Sequence, residues 1–132
     1  MVEEIESYGF ELLSYLGCGC FRTAILVAKD NKRFIAKIPI ESQGSADNAR
    51  ELRIFAQATI AGDGRYFAKT QSVVDDSWIL QEPVKPMPAS KDLWKIFNDI
   101  YDKYDLADFL QVGYSLEDRE IKIFDYGYAY GQ

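Results

Sequence analysis

Four features of the sequence, in chain order, have the residue types of a phosphate-binding site. Gly17 and Gly19 form a glycine pair whose backbone N–H groups can approach an anion. Lys37 lies inside an apolar stretch, and a lysine there needs a carboxylate partner such as Glu51, fourteen residues later. Asp125 ends a second apolar stretch and can hold a metal ion that neutralises phosphate charge. Together these residues predict a site for a phosphate-bearing ligand.

Each feature taken alone has a structural interpretation. A glycine pair is commonly a hairpin turn. A lysine on a strand and a glutamate on a helix are most often solvated surface charges. Only the combination, in this order along the chain, favours the phosphate site over these alternatives.

Three antiparallel strands must position the first half of this site. The stretches 11–17, 23–29 and 33–40 are rich in β-branched and aromatic residues, and the glycine pair and Asp30-Asn31 separate them as turns. A helix follows, with Ser45 or Asp47 as its N-cap. It ends near Gly62, and its apolar stripe consists of Leu52, Phe55, Ala56 and Ile60.

The second half of the chain alternates strands with one more helix. Two strands, 66–74 and 78–84, precede a proline-containing stretch that we expect to be an extended connector. Ser90 caps a second amphipathic helix, and a final hairpin joins 111–115 to 120–124. This order predicts an α+β fold with a mostly antiparallel sheet.

Composition narrows the classes of function. The 132 residues suffice for one domain, and the net charge of −6 disfavours a nucleic-acid partner, which requires a basic face. No stretch reaches the roughly 18 apolar residues of a membrane span, and the acidic start does not resemble a signal peptide, so we expect a cytoplasmic protein without membrane contact. Because the chain has no histidine, histidine-based catalysis and imidazole zinc sites are excluded.

The four features resemble those of the protein-kinase superfamily. The matching segments are Leu16-Gly17-Cys18-Gly19-Cys20-Phe21-Arg22, Ala36-Lys37-Ile38, Arg50-Glu51-Leu52 and Phe124-Asp125-Tyr126-Gly127. They span about residues 10–128 and are most similar to small divergent kinase-like proteins of bacteriophages, whose glycine loop also reads Gly-x-Gly-x-x-Arg. The resemblance implies one minimal domain, with residues 10–84 as an N-lobe and 85–132 as a vestigial C-lobe of one helix and a hairpin.

The resemblance also implies roles for individual residues. Lys37, oriented by Glu51, would bind the phosphates of ATP beside the glycine loop, and Asp125 would hold Mg²⁺. Arg22, in place of the third loop glycine, would present a guanidinium to phosphates or to a carboxylate. The adenine would meet the backbone of a hinge segment, at Gln81, Glu82 and Val84.

Three departures from the pattern of the family put phosphotransfer in doubt. The catalytic loop of the family is absent, so Asp105, or alternatively Asp108, would stand at the position of the base, although both also fit simple helix-end and loop carboxylates. Gln111 replaces the asparagine that would be the second metal ligand and lies one residue too far along the chain. We also expect no activation loop and no substrate-binding helices of a kinase after Gly127.

These observations predict a minimal kinase-like protein that binds Mg-ATP with weak or no phosphotransfer. One alternative is a non-catalytic interaction module on the same scaffold, with a host protein or a second copy as its partner, since tyrosine and tryptophan are abundant at interfaces. The other is a small active phosphotransferase. If the chain is phage-encoded, we expect it in the host cytoplasm.

Overall fold

The computed structural model describes residues 2–18, 21–73, 78–106 and 110–126. Four residues singled out by the sequence lie outside these ranges, namely Gly19, Cys20, Asp108 and Gly127. Within the described ranges the fold is mixed α+β, with three α-helices and two antiparallel sheets. No helix in those ranges has the length and apolar character needed to cross a bilayer.

The first sheet has five strands in the order β1-β2-β3-β5-β4. Its bounds are β1 Glu11–Cys18, β2 Arg22–Lys29, β3 Lys32–Pro39, β4 Thr70–Ser72 and β5 Ile79–Gln81. The three predicted N-terminal strands are confirmed. Asp30 and Asn31 both have positive φ at the β2–β3 turn, as a two-residue hairpin loop of matching twist requires. Alternate residues of β2, among them Ile25 and Val27, are buried because successive side chains point to opposite faces.

A short helix, α1, which the sequence patterns did not indicate, covers part of this sheet. It spans Val2–Ser7, and its Ile5 is fully buried in a core shared with Phe10, Ile25 and Val27. Tyr8, just after the helix, packs edge-on against Trp78, with ring centroids 5.1 Å apart. One buried isoleucine is too weak a pattern to reveal such a helix in advance.

The second helix, α2, spans Ser42–Ala61 and begins earlier than the predicted Ser45 or Asp47, with Glu41 as its N-cap. Its end at Gly62 is confirmed, since that glycine has φ of 85°. The predicted apolar stripe is wrong for half of its members, because Ala56 and Ile60 are exposed. The buried face consists of Gly44, Asp47, Asn48, Glu51, Ile54 and Ala58. The polar side chains of this face, Asp47, Asn48 and Glu51, can be buried because each of them forms hydrogen bonds.

The expected connector after β5 is instead a strand, β6, spanning Val84–Met87. With β7 Val112–Ser115 and β8 Glu120–Ile123 it forms a second sheet in the order β6-β7-β8, which confirms the predicted hairpin. Pro86 is tolerated because β6 is an edge strand. The strand expected at 66–74 is reduced to β4, preceded by a 3₁₀ turn at Gly64–Tyr66.

The two sheets meet at the end of β8. Phe67 forms a parallel bridge with Ile123, and the Ala68 N–H donates to the Ile123 carbonyl at 2.8 Å. The third helix, α3 (Lys91–Lys103), contributes its buried Leu93–Tyr101 face to the larger core, to which α2 also contributes Ile54 and Ala58. The junction therefore holds the chain after β8 beside the polar face of α2.

Candidate functional site

A buried ion pair joins β3 to α2. Lys37 pairs across the sheet with Ala24 and Ile79, and its Nζ lies 2.6 Å from Oε1 of Glu51. The same ammonium donates to the Phe124 carbonyl at 2.8 Å. Lys37 is 7% exposed and Glu51 is fully buried. Since a carboxylate in the interior is stable only when it is paired, this contact fixes the position of both side chains.

Arg22, the first residue of β2, makes the second cation of the site. One of its terminal nitrogens, Nη1, donates to Oε2 of Glu51 and, at 3.1 Å, to the Asn48 side-chain oxygen. The other, Nη2, donates to Oδ1 of Asp125 at 2.7 Å. Burial acts to lower the pKa of Arg22, but the charges of Glu51 and Asp125 outweigh it and raise that pKa. The guanidinium therefore stays charged and bridges two carboxylates.

Asp125, two residues after the end of β8, belongs to the same group of charged side chains. Its Oδ1 lies 3.9 Å from Nζ of Lys37 as well as 2.7 Å from Arg22. Its side chain is 36% exposed, whereas that of Glu51 is fully buried. We call Arg22, Lys37, Glu51 and Asp125 the Lys37 cluster. It contains two cations and two carboxylates, and Asp125 is the carboxylate that remains open to solvent.

Two amides support this cluster, and neither role was recognised from the sequence. Gln81 donates its side-chain N–H to Oε1 of Glu51 at 2.9 Å, and Asn48 donates to the Lys37 carbonyl at 3.0 Å. The available signal was the spacing of Asn48 and Glu51, three residues apart on one helix face. Glu51 thereby accepts from Lys37, Arg22 and Gln81, which satisfies a carboxylate that has no access to water.

Tyr126 anchors the backbone next to Asp125. Its hydroxyl donates to the Ala68 carbonyl at 2.8 Å and lies 2.5 Å from the Thr70 hydroxyl. Burial, followed by the charge of Glu51, raises the pKa of Tyr126 well above its ordinary value. A phenylalanine at this position would fill the same space but could not form these bonds, so the hydroxyl contributes to holding Asp125 in place.

The residues expected at an adenine-binding hinge have other partners in this structure. Gln81 lies within β5, between Ile35 of β3 and Thr70 of β4, and Val84 pairs with Ser115 in the second sheet. The Glu82 N–H donates to the Lys69 carbonyl at 2.9 Å. The backbone groups of this segment thus take part in both sheets.

The Glu82 carboxylate belongs to a second buried network, the Glu82 network, formed with Ser115, Asp118 and Lys122. It accepts from the Ser115 hydroxyl at 2.5 Å, from Lys122 at 2.8 Å and from the Lys69 N–H at 2.8 Å. Lys122 also contacts Asp118, and this hydrogen bond is the main cause of the lowered pKa of Asp118. The network ties the end of β5 to the β7–β8 hairpin.

Three other predicted site residues, Asp105, Gln111 and Gly17, are not members of the Lys37 cluster or the Glu82 network. Asp105 is exposed and follows α3 with φ of 54°. Gln111 acts through its backbone, donating to the Tyr101 hydroxyl at 3.0 Å and accepting from Phe124 at 3.2 Å. Gly17 pairs with Ala24 beside a bulge in β1, with open space where a Cβ would stand. Gly19 and Asp108 lie outside the described residues.

The donor set at Asp125 fits a magnesium ion that is held mainly by phosphates. Mg²⁺ retains waters and commonly takes only one or two protein carboxylates together with substrate phosphates. In the described part of the chain no three His, Cys, Asp or Glu residues group as a metal site. Asp125, whose side chain is partly exposed beside Lys37, can supply one ligand.

The arrangement can accept an anionic ligand that brings its own metal ion. Lys37 supplies a fixed positive charge, Asp125 a partly exposed carboxylate, and Glu51 the carboxylate that orients the cations. The groups of the cluster come from three consecutive elements, β2, β3 and α2, and from the segment after β8, which is far from them in the sequence. Comparison of the chain with protein-family models and with curated protein sequences finds no match.

Proposed function

We propose that this protein is a minimal protein-kinase-like protein that binds Mg-ATP at the Lys37 cluster, with weak or no phosphotransfer. The observation that supports it best is the position of Lys37. Its Nζ lies 2.6 Å from Glu51 and 3.9 Å from Asp125, so an oriented cation and a carboxylate suited to a metal lie side by side. Phosphate transfer sites rely on this combination of charges.

The architecture around Lys37 supports the same proposal. A five-stranded antiparallel sheet carries the lysine on β3, and the next element, α2, carries the glutamate. The sequence resemblance implies an N-lobe in which a strand lysine pairs with a glutamate of the following helix, so this order of elements supports the proposal. The described residues after β5 add one more helix and a small sheet.

The balance of charges favours nucleotide bound as its magnesium complex. The Lys37 cluster is neutral in sum, with two cations and two carboxylates. A triphosphate without metal would therefore meet no net positive charge and would be repelled by the nearby Asp125. A bound Mg²⁺ would neutralise part of the phosphate charge, and Lys37 would donate to a phosphate oxygen.

Weak or absent phosphotransfer is supported by the sequence around Asp105. That segment departs from the catalytic loop of the kinase family, and Gln111 stands in place of the expected asparagine. A general base must come within hydrogen-bond reach of the hydroxyl that it deprotonates. Asp105 is exposed after the end of α3, and binding without efficient transfer is the function we propose.

Titration calorimetry and thermal unfolding with Mg-ATP test the proposal. We expect wild type to bind, and nucleotide at about 100 times Kd to stabilise it by about 2.7 kcal/mol. Lys37→Met should abolish this gain. Lys103→Met is the control, because it removes a lysine whose partner is Asp63, outside the Lys37 cluster, and should leave nucleotide affinity unchanged.

Asp125→Asn provides a second variant that does not depend on replacing a buried charge, since Asp125 is partly exposed. We expect it to lose magnesium-dependent affinity while remaining folded. If intact wild-type protein gives neither binding heat nor a thermal shift in excess Mg-ATP, the proposed function is wrong.

A non-catalytic interaction module is the second candidate, and Arg22 favours it. Its guanidinium already compensates both Glu51 and Asp125, so the cluster is complete without a ligand. On this alternative, the charges serve only to hold α2 against the first sheet. Cooperative unfolding at a temperature unaffected by Mg-ATP, together with a strong loss of stability in Arg22→Gln, would favour the module over the nucleotide-binding protein.

A further inference from the structure

Arg22 places a cation on a carboxylate oxygen of Asp125, the residue proposed to hold the metal ion. Its Nη2 lies 2.7 Å from Oδ1 of Asp125, and its side chain is 13% exposed. We infer that Arg22 is an internal competitor for the divalent cation, a latch that occupies Asp125 until metal and nucleotide displace it. This inference rests on the proposed function and concerns how its site is regulated.

The competition follows from the geometry at Asp125. A magnesium ion binds carboxylate oxygen at about 2.0–2.1 Å, closer than the guanidinium now lies. A doubly charged ion at that distance and a guanidinium at 2.7 Å would repel each other strongly in this partly buried setting. Metal binding at this oxygen therefore requires Arg22 to leave Asp125.

Arg22 can leave Asp125 without losing its other contacts. Its Nη1 remains bonded to Glu51 and to the Asn48 side-chain oxygen, both on α2. If Nη2 leaves Asp125, that arm of the planar guanidinium is free to donate to phosphate oxygens, which it matches in geometry. The same residue thus has two states, one closing the site and one contacting the ligand.

Lys37 cannot perform this exchange. Its ammonium is held at 2.6 Å by Glu51 and at 2.8 Å by the Phe124 carbonyl, and its distance to Asp125 is 3.9 Å. It therefore neither directly occupies the metal-facing oxygen nor needs to move. Among the cations of the cluster, Arg22 is the one whose removal should expose Asp125.

Manganese binding measured by electron paramagnetic resonance tests the latch without relying on activity. The probes are Mn²⁺ alone and Mn²⁺ with ATP, applied to wild type, Arg22→Gln and Arg53→Gln. We expect Arg22→Gln to bind Mn²⁺ alone about tenfold more tightly, a difference equivalent to about one charge-assisted hydrogen bond. Arg53→Gln removes one positive charge at an exposed position and should bind Mn²⁺ with the affinity of wild type.

Two further variants make the result decisive. Asp125→Asn combined with Arg22→Gln should remove the gain, which would assign the metal to Asp125. Arg22→Lys keeps the positive charge but lacks the planar group that contacts two carboxylates, so we expect its affinity for Mn²⁺ to lie between those of wild type and Arg22→Gln. If Arg22→Gln fails to fold, Arg22→Lys takes its place in the comparison with wild type.

The outcomes separate the latch from the proposed function. If Mn-ATP binds wild type and Arg22→Gln binds Mn²⁺ equally or more weakly, the latch is wrong and nucleotide binding stands. If no variant binds Mn²⁺ or Mn-ATP, both are wrong. Tighter Mn²⁺ binding by Arg22→Gln that is lost with Asp125→Asn supports the latch. If ATP does not increase the affinity for Mn²⁺ in that case, the latch stands and only the assignment of the ligand as a nucleotide is wrong.

Discussion

Glu82, just after β5, and Lys122, on β8, form an ion pair in the interior that joins the two sheets. Oε2 and Nζ lie 2.8 Å apart, and the residues are 6% and 1% exposed. The Ser115 hydroxyl and the Lys69 N–H complete the hydrogen bonds of the carboxylate. This pair sets the position of β8 and, through it, of Asp125 three residues further on.

Lys122→Met should destabilise the protein by roughly 3–5 kcal/mol, because it leaves the buried Glu82 carboxylate without its charged partner. Urea unfolding monitored by tryptophan fluorescence measures the loss. The double variant Lys122→Met with Glu82→Leu should recover most of it, since an apolar pair requires no desolvated charge. Equal losses in the single and double variants would show that the ion pair is not the stabilising interaction.

Gly44→Ala should destabilise the protein by more than about 1 kcal/mol, since overpacking forces the backbone to shift. A Cβ at Gly44 would lie 2.2 Å from the Phe21 carbonyl and 3.0 Å from Pro39, both backbone contacts that cannot move cheaply. This glycine lets the first turn of α2 approach the sheet. Gly17→Ala is the control, as its Cβ would meet open space; similar losses for both would contradict the packing explanation.

Stability should fall as pH rises from about 10 to about 12, partly because of Tyr104. Burial, followed by the hydrogen bond to Asp63, raises the pKa of Tyr104 to about 12. Above pH 10 the unfolded chain loses this proton while the folded protein keeps it, so the unfolded state binds fewer protons and is favoured.

Urea midpoints between pH 8 and pH 11.5 measure this dependence. Tyr104→Phe should be less stable than wild type at pH 8, by about 1 kcal/mol for the lost hydrogen bond, and should show a shallower alkaline decline. Some decline should remain, because Tyr101 and Tyr126 also have raised pKa values. An unchanged slope in Tyr104→Phe would exclude this tyrosine as a source.

Asp105→Asn should leave nucleotide affinity unchanged, because no contact within the described residues joins Asp105 to the Lys37 cluster. Release of labelled phosphate from [γ-³²P]ATP provides the second measurement. We expect wild type, Asp105→Asn and Lys37→Met to give the same background rate. A rate above background that disappears in both variants would instead favour the small active phosphotransferase, with Asp105 as its base.

Much of the architecture follows from local sequence patterns. The alternation of β2 and the Asp30-Asn31 turn predict the first hairpins, because side-chain period and turn conformation are decided by neighbouring residues. The cap at Ser90 and the strong apolar face of α3 predict that helix for the same reason, and Ser90 accepts from the Leu93 N–H at 3.2 Å. The pairing of Lys37 with Glu51 was also predicted, since a lysine inside an apolar strand requires a carboxylate partner.

Only the tertiary structure decided which face of α2 is buried, where β6 pairs, and what Arg22 and Glu82 contact. Hydrophobic periodicity predicts that the apolar residues of α2 are buried. In the structure α2 instead buries Asn48 and Glu51, because cationic side chains of β2 and β3 hydrogen-bond to this face of the helix. From the sequence, Pro86 predicts an extended connector, but in the structure it lies in β6, an edge strand that pairs with β7. Contacts between residues far apart in the chain depend on the assembled sheets, and no local pattern contains that information.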